Sequence, residues 1–175
     1  MDYRNKNKIF SEWVNQYYKF GYRIAYKILV NEEDCRDIVQ DAFLKVWMHF
    51  DTYNEEVKFT TWLYTIVTNL CYDKLRKKKS AVNYAESTVF QSKYEEGIEN
   101  WMYEKDIRTT LIKLSENLSP KQRIVFVLRD LEEMEITEIC TITNMDAQQI
   151  KANLYFARKA IRKNLISLNI LEEKI

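Results

Sequence analysis

The side chains best suited to chemistry in this sequence follow a predicted tight turn near its C-terminal end. In Thr143-Asn144-Met145, Asn144 can adopt the left-handed conformation that such a turn requires. Apolar residues at helical spacing precede the turn, and Asp146 can cap a second helix after it. The spacing predicts a helix-turn-helix over about residues 135–161.

The second helix of this pair presents groups that can read DNA bases. Its apolar stripe is predicted to be buried and consists of Ile150, Leu154, Ala157 and Ile161. Its exposed N-terminal part carries Gln148, Gln149, Lys151, Ala152, Asn153 and Tyr155. Gln and Asn can bond adenine in bidentate fashion in the major groove, and Lys can reach guanine or phosphate. An ordinary polar surface helix is the alternative, because helical hairpins without a nucleic-acid partner are common.

Positive charge is concentrated in two places, although the formal net charge is only +1. Residues 74–79 carry five cations and no acid, and residues 151–163 carry five more, again without an acid. Residues 84–106 carry six acids against two lysines. The near-neutral total is therefore the sum of two basic sites separated by acidic surface, and it does not exclude a nucleic-acid partner.

The first basic cluster follows a segment that mixes aromatic and small polar residues. Residues 58–70 interleave Phe59, Trp62 and Tyr64 with threonines, directly before the cations of residues 74–79. Aromatic faces and phosphate-binding charge are what an unpaired strand needs. The same aromatics fit a helix core equally well, and a charge run alone is more often a solvated helix end.

A mixed acidic and apolar face is predicted on the helix that Asn31 caps. Five residues lie largely off its core stripe: Asp37, Gln40, Asp41, Leu44 and Met48. Such a face suits a basic partner helix, because the charges set the register while exposed Leu and Met supply burial. A solvated helix surface is the alternative.

Helices must position all of these groups. The 175 residues include two glycines and one proline, too few for turn-rich β folds or phosphate-cradling loops. Apolar periodicity predicts three helices within residues 1–80, the third from about Phe59 to Lys79. A linker over residues 81–102 leads to a second domain over residues 103–175, where Ser119-Pro120 begins a helix. We predict an all-α fold of two small helical domains, the second containing the helix-turn-helix.

Catalysis finds little support in the sequence. The single histidine, His49, has no Cys or acid nearby at metal-ligand spacing, and no Cys-x-x-Cys, glycine-rich phosphate loop or nucleophile elbow is present. We predict no enzyme activity, no metal and no cofactor. Three scattered cysteines fit reduced thiols, and neither a signal peptide nor an apolar run of roughly 18 residues is found. The predicted location is the cytoplasm, without membrane insertion.

Three segments in order resemble the extracytoplasmic-function (ECF) sigma factors of the bacterial sigma-70 family. They are Asp37 to Trp47 (DIVQDAFLKVW), Phe59 to Asn69 (FTTWLYTIVTN) and Leu118 to Arg123 (LSPKQR), the last ahead of the helix-turn-helix. The resemblance is to regions 2 and 4 and covers most of the chain. It implies a sigma factor that binds core RNA polymerase, recognises minus-35 and minus-10 promoter elements and promotes DNA melting, while the polymerase performs the chemistry.

The resemblance also implies a partner for each candidate surface. The first domain would bind the β′ clamp helices through Asp37, Gln40, Asp41 and Leu44. The loop over residues 51–58 would capture a flipped base, and the minus-10 contacts would be Asn54, Phe59, Thr61, Asn69, Lys74 and Arg76. The second domain would dock on the β flap, and its minus-35 contacts would be Arg123, Gln148, Gln149, Lys151, Asn153, Tyr155 and Arg158. Extruding a base costs a few kcal/mol and each stacking contact returns about 1 to 3 kcal/mol, so ATP is not needed.

The sequence departs from the family pattern in the helix that reads DNA. Relatives commonly carry arginines where this chain has Asn153 and Phe156, and a Gly-Thr pair where it has Gln148-Gln149. Fewer arginines predict fewer phosphate contacts and a shallower salt dependence. The promoter sequence therefore cannot be transferred from relatives.

Two other functions are compatible with the sequence. A stand-alone helix-turn-helix transcriptional regulator would bind duplex DNA without polymerase, and a helical adaptor would be indifferent to DNA. The family is commonly held inactive by an anti-sigma factor, and the exposed Leu44 and Met48 lead us to expect such a partner here.

Overall fold

The computed structural model describes residues 3–85 and 107–171, and every regular element in these two ranges is helical. The first three long helices are α1 (Tyr3–Leu29), α2 (Glu32–Met48) and α3 (Phe59–Ala85), with a 3₁₀ turn at Phe50–Thr52. The later ones are α4 (Ile107–Leu114), a 3₁₀ turn (Ser115–Asn117), α5 (Pro120–Phe126), α6 (Ile136–Thr143) and α7 (Ala147–Ser167). The chain forms two compact units. The all-helical prediction is confirmed.

The N-terminal unit is built where α1, α2 and α3 bury their apolar stripes. Asn31 caps α2 as predicted, because its side chain accepts a hydrogen bond from the Asp34 N–H at 2.8 Å. Gly21 is buried at a close approach of the helices, where an added Cβ would lie 3.7 Å from Val39 and 3.8 Å from Val67. The buried apolar residues include Ile24, Ala25, Ile28, Ile38, Val39, Val46, Leu63 and Val67.

Helix α3 is longer than the sequence pattern predicted. The expected end was Lys79, but the helix continues to Ala85, into the first residues of the predicted linker. Residues 80–85 contain neither Pro nor Gly, so no residue there ends a helix. The rest of the predicted linker, residues 86–102, and the first residues of the predicted second domain, 103–106, lie outside the described residues.

The C-terminal helices begin with reciprocal caps. The predicted start at Ser119-Pro120 is confirmed: the Ser119 hydroxyl accepts from the Gln122 N–H, and the Gln122 side chain accepts from the Ser119 N–H. Glu135 and Asp146 make the equivalent capping boxes for α6 and α7. The core of these helices includes Ile124, Val125, Leu128, Ile139, Ile150, Leu154, Ala157 and Ile161.

The helix that starts at Pro120 changes type before it ends. The α-helical part, α5, stops at Phe126, and a π-helical segment continues over Val127–Leu131. Its wider turn is closed by a bond from the Glu132 N–H to the Val127 carbonyl at 3.0 Å. The segment contributes to the hydrophobic core, because Val127, Leu128 and Leu131 are buried.

Candidate nucleic-acid interface

The turn of the helix-turn-helix has the predicted geometry. Asn144 lies in the left-handed region at φ 57° and ψ 23°, and its N–H bonds the Cys140 carbonyl at 2.9 Å. The Asp146 carboxylate then accepts from the Gln149 N–H at 2.8 Å, which starts α7. These local bonds fix the direction in which α7 leaves the turn.

Helix α7 buries the predicted stripe and exposes the opposite side. Ile150, Leu154, Ala157 and Ile161 are buried. The exposed residues include Gln148, Gln149, Lys151, Ala152, Tyr155, Phe156 and Lys159. Phe156 was absent from the predicted DNA contacts, although counting along the helix from the buried stripe places it on the outward side.

Four of the predicted minus-35 contacts are engaged within the protein or buried. The Gln149 side-chain oxygen completes the capping box of α7 by accepting from the N-cap N–H at 3.3 Å. Asn153 is half-buried, and its amide donates to the Gln149 carbonyl at 2.8 Å. Arg158 makes two hydrogen bonds to Asp130, at 3.0 Å from Nε and 2.6 Å from Nη2. The hydrogen bond to the Asp130 side chain raises the pKa of Arg158. Arg123 is only 4% exposed, so it offers almost no surface to a phosphate in this conformation.

Arginines also fix the segment between the π helix and α6. Arg129 donates to the Met134 carbonyl at 2.6 Å and to the Glu135 carboxylate at 3.2 Å. Arg108 donates to the Leu131 carbonyl. These bonds and the Arg158 to Asp130 pair stabilise the segment that precedes the helix-turn-helix.

A basic groove runs along α7. It has a volume of about 640 Å³, and five of its eight lining residues are cationic. Those cations are Arg129, Lys151, Arg158, Lys159 and Arg162. The groove therefore offers positive charge beside the exposed amide and aromatic groups, an arrangement suited to a polyanion.

An aromatic cluster lies under the loop over residues 51–58. Phe59 is 8% exposed, and its ring lies 4.3 Å from Trp13 and 4.8 Å from Tyr17 between centroids. Tyr53 stacks on Trp62 at 4.8 Å and donates its hydroxyl proton to the Val57 carbonyl. Burial is the largest cause that raises the pKa of Tyr53.

The burial of Phe59 differs from its expected role as a minus-10 contact. Its neighbours are aromatic rings of the N-terminal unit, so the core alternative raised for these aromatics describes its position. Tyr64 is buried as well. Phe59 supports the loop from beneath and does not present its ring to a ligand.

The other predicted minus-10 residues are accessible. Asn54, Thr61, Asn69 and Arg76 are exposed, and Lys74 is half-buried. Asn54 also orders its own loop, because its side-chain oxygen accepts from the Glu56 N–H at 3.0 Å. Arg76 lies 3.2 Å from Asp73 in an exposed pair. At the start of the loop, Lys6 bonds Asp51 at 2.6 Å and lies over the rings of Trp47 and Phe50.

The predicted partner face on α2 is present. Its members are all exposed, and their spacing places them on one side of the helix: Asp37, Gln40, Asp41, Leu44 and Met48. Leu44 is 61% exposed and Met48 is 75% exposed, unusually high for large apolar side chains. We call this set the α2 face.

Metal-binding and membrane-spanning features were also sought in the described part of the chain. No cluster of three or more His, Cys, Asp or Glu side chains in residues 3–85 and 107–171 is arranged to hold a metal ion. None of the helices within these ranges combines the length and apolar character needed to span a bilayer.

Two sigma-70 family descriptions match the chain. Residues 13–81 match Sigma-70 region 2, and residues 108–161 match Sigma-70, region 4. These ranges contain the aromatic cluster with the α2 face and the helix-turn-helix, respectively.

Known proteins of this family are similar along most of the chain. The ECF RNA polymerase sigma factor SigW of Bacillus subtilis (strain 168) is 31% identical over 168 residues, covering 91% of this chain and 90% of SigW. The ECF RNA polymerase sigma-E factor of Escherichia coli (strain K12) is 29% identical over 137 residues, covering 73% of this chain and 72% of its own.

Solved structures share the fold. Sigma factor RpoE of Bartonella quintana, in complex with the anti-sigma factor NepR, aligns with a TM-score of 0.65 at 21% identity, covering 90% of this chain and 97% of RpoE. CnrH in complex with the cytosolic domain of CnrY aligns at 0.61 and 17%, covering 92% and 90%. The chain therefore belongs to the ECF sigma factors of the sigma-70 family, non-enzymatic proteins that direct RNA polymerase to promoters.

Proposed function

We propose that the α2 face binds core RNA polymerase, that the loop over residues 51–58 and α3 hold the opened minus-10 strand, and that α7 reads the minus-35 duplex. The observation that carries this proposal is the presence of three exposed surfaces of different chemistry. One surface is acidic and apolar, one is a polar loop over aromatic rings, and one is basic with amides. Each chemistry suits a different part of an initiation complex.

The α2 face is suited to the β′ clamp helices. Asp37 and Asp41 supply negative charge, while Leu44 supplies an apolar anchor that gains about 1.5 to 3 kcal/mol if it becomes fully buried. Complementary charges set orientation and accelerate association. The exposed Met48 extends the same apolar surface.

The minus-10 proposal assigns direct contact and support to different residues. Asn54, Thr61, Asn69, Lys74 and Arg76 are the accessible candidates for contact with the opened strand. Phe59 serves as a positioning residue, because its packing on Trp13 supports the end of the loop from which a flipped base would be read. Binding the extruded base and its flanking phosphates would keep the strand open.

The minus-35 proposal rests on the exposed side of α7. Gln148, Lys151 and Tyr155 are accessible to a major groove, whereas Gln149 would first have to release its capping bond. Arg158 would reach a phosphate only by exchanging its bonds to Asp130. Arg123 and Asn153 require a conformational change before they could contact DNA. Docking of this unit on the β flap would place it upstream of the opened strand.

We further propose that an anti-sigma factor restrains this protein by covering the α2 face. One structure that shares the fold contains such a complex, RpoE with the anti-sigma factor NepR. The exposed Leu44 and Met48 offer the apolar area that a competing partner needs. The protein would act in the cytoplasm, where polymerase and promoter meet.

In vitro transcription with bacterial core polymerase across the host genome tests the proposal and identifies the promoters. The Asp41→Lys variant should bind core at least about tenfold more weakly, because a like charge would face the basic partner. Glu12→Lys makes the same charge change on an exposed residue of α1 and should bind normally. Specific duplex binding that needs no polymerase, unchanged by Asp41→Lys, would instead identify a stand-alone regulator.

A further inference from the structure

The outward side of α7 combines an amide with apolar groups. A helix turns by about 100° per residue, so positions three and four apart share a face. On the exposed side of α7, away from the buried stripe, lie Gln148, Ala152, Tyr155, Phe156 and Lys159. An amide, a methyl and two aromatic rings thus share this side, which we call the α7 reading face.

The two aromatic rings are too exposed to serve the core. Tyr155 is 62% exposed and Phe156 is 54% exposed. Their rings meet edge to face, with centroids 5.3 Å apart and planes inclined at 75°. This contact restricts both side chains, so a partner that covers them pays less in lost rotamer freedom.

The surrounding charges identify DNA as the partner of this apolar surface. Lys151, Lys159 and Arg162 line the basic groove together with Tyr155. A duplex supplies phosphates on both sides of its major groove, and the apolar group on its base edges is the thymine methyl. One A·T pair presents both that methyl and the adenine edge that Gln can bond.

Recognition of guanine has weak support on the same face. The usual specific contact to guanine is a bidentate arginine. The residues of the reading face include no arginine, and Arg158 beside it is bonded to Asp130 through both Nε and Nη2. The exposed Arg162 lies about two helical turns beyond Tyr155. Lys151 and Lys159 remain available to phosphates.

We propose that α7 reads A·T pairs in the minus-35 element, with Phe156 and Tyr155 contacting thymine methyl groups and Gln148 bonding adenine. This inference rests on the proposed minus-35 role of α7. It assigns to Phe156 a part in sequence selection.

Replacing thymine by deoxyuracil tests the methyl contact, because it removes the methyl group and leaves base pairing intact. The full chain with core polymerase is measured on its own promoters, with each minus-35 thymine replaced in turn. A buried CH₂ contributes about 0.8 kcal/mol, so one or two positions should lose affinity about fourfold. Phe156→Ala should abolish the effect at one position, and Phe156→Leu should retain part of it.

The control variant is Leu171→Ala. Leu171 is 45% exposed and lies beyond the end of α7, so its removal should leave the response to deoxyuracil unchanged. Wild-type protein that is insensitive at every thymine overturns the inference. So does a methyl response that persists in the Tyr155→Ala, Phe156→Ala double variant. Weaker binding of Phe156→Ala to core or to a protein partner, with the methyl response intact, overturns it by making the rings a docking surface.

Failure of this inference is distinct from failure of the proposed function. Promoter-directed transcription without any methyl response refutes only the role of the rings. Absence of core binding and of directed transcription refutes the proposed function itself.

Discussion

The two candidate DNA surfaces of the protein are supported by different forces. Under the loop over residues 51–58, aromatic rings pack around Phe59, and their stabilisation comes mainly from area removed from water. Around the helix-turn-helix, capping boxes and arginine bonds to carbonyls and carboxylates add to the stabilisation by the apolar core. Screening by salt weakens exposed charge pairs and leaves apolar burial almost unchanged.

The difference matches the proposed tasks of the two surfaces. A loop that holds an extruded base needs a rigid support, and a packed aromatic cluster provides one. A helix that reads a duplex must exchange internal ion pairs for phosphates, and Arg158 with Asp130 is such a pair. Three substitutions test this comparison.

Phe59→Ala should have the largest effect. Truncating a buried phenyl ring typically lowers the free energy of unfolding by about 3 to 5 kcal/mol, and Phe59→Leu should cost clearly less. Urea denaturation followed by tryptophan fluorescence measures this change, because Trp13 and Trp62 contact the ring. If Phe59→Ala kept its stability yet lost promoter opening, the ring would contact DNA directly and the comparison would fail.

Tyr53→Phe should have an intermediate effect. It removes the hydrogen bond to the Val57 carbonyl, which is worth about 0.5 to 1.5 kcal/mol. Burial raises the pKa of Tyr53, so this phenol contributes stability that is complete below its unfolded pKa of about 10 and is lost as the pH rises through the folded value.

The pH dependence of unfolding checks this assignment. The stability difference between wild type and Tyr53→Phe should shrink at pH values above about 10. Tyr26→Phe, which removes an exposed phenol, provides the control. A difference that stays constant through this range would contradict the role of Tyr53 in fixing the loop.

Asp130→Asn should change stability least and salt dependence most visibly. Arg158 is 56% exposed, so losing the pair should cost no more than about 1 kcal/mol. A released Arg158 that gains one phosphate should steepen the slope of log K against log salt by about 0.9 for minus-35 duplex. Glu133→Gln removes an equal charge from an exposed neighbour. An identical slope in both variants would show that Arg158 stays away from the phosphates.

The sequence predicted features whose determinants lie within a few residues. The caps at Asn31 and Asp146 and the left-handed turn at Asn144 depend on neighbouring side chains, and all three are present. The α2 face was predictable for the same reason, because the spacing along one helix decides which residues are exposed.

Features that depend on distant packing were not predictable in this way. The residues next to Phe59 in the sequence do not distinguish a core ring from one that stacks on a base. Its ring is buried because it packs against Trp13, which lies far from it in the sequence. Arg158 is bonded to a carboxylate 28 residues earlier in the chain. The π segment over Val127–Leu131 likewise has no marker in its apolar sequence, since its wide turn serves the packing of the helices around it.

The π segment affects where one residue can be deleted from this chain without rotating the helices that follow. A π turn accommodates a residue more than an α turn, so deleting one residue between Val127 and Leu131 could be absorbed by tightening the helix. Deletion in a regular helix would rotate everything downstream by about 100°. This stretch is therefore where the helix can lose one residue without rotating the DNA-reading surface by a full α-helical step.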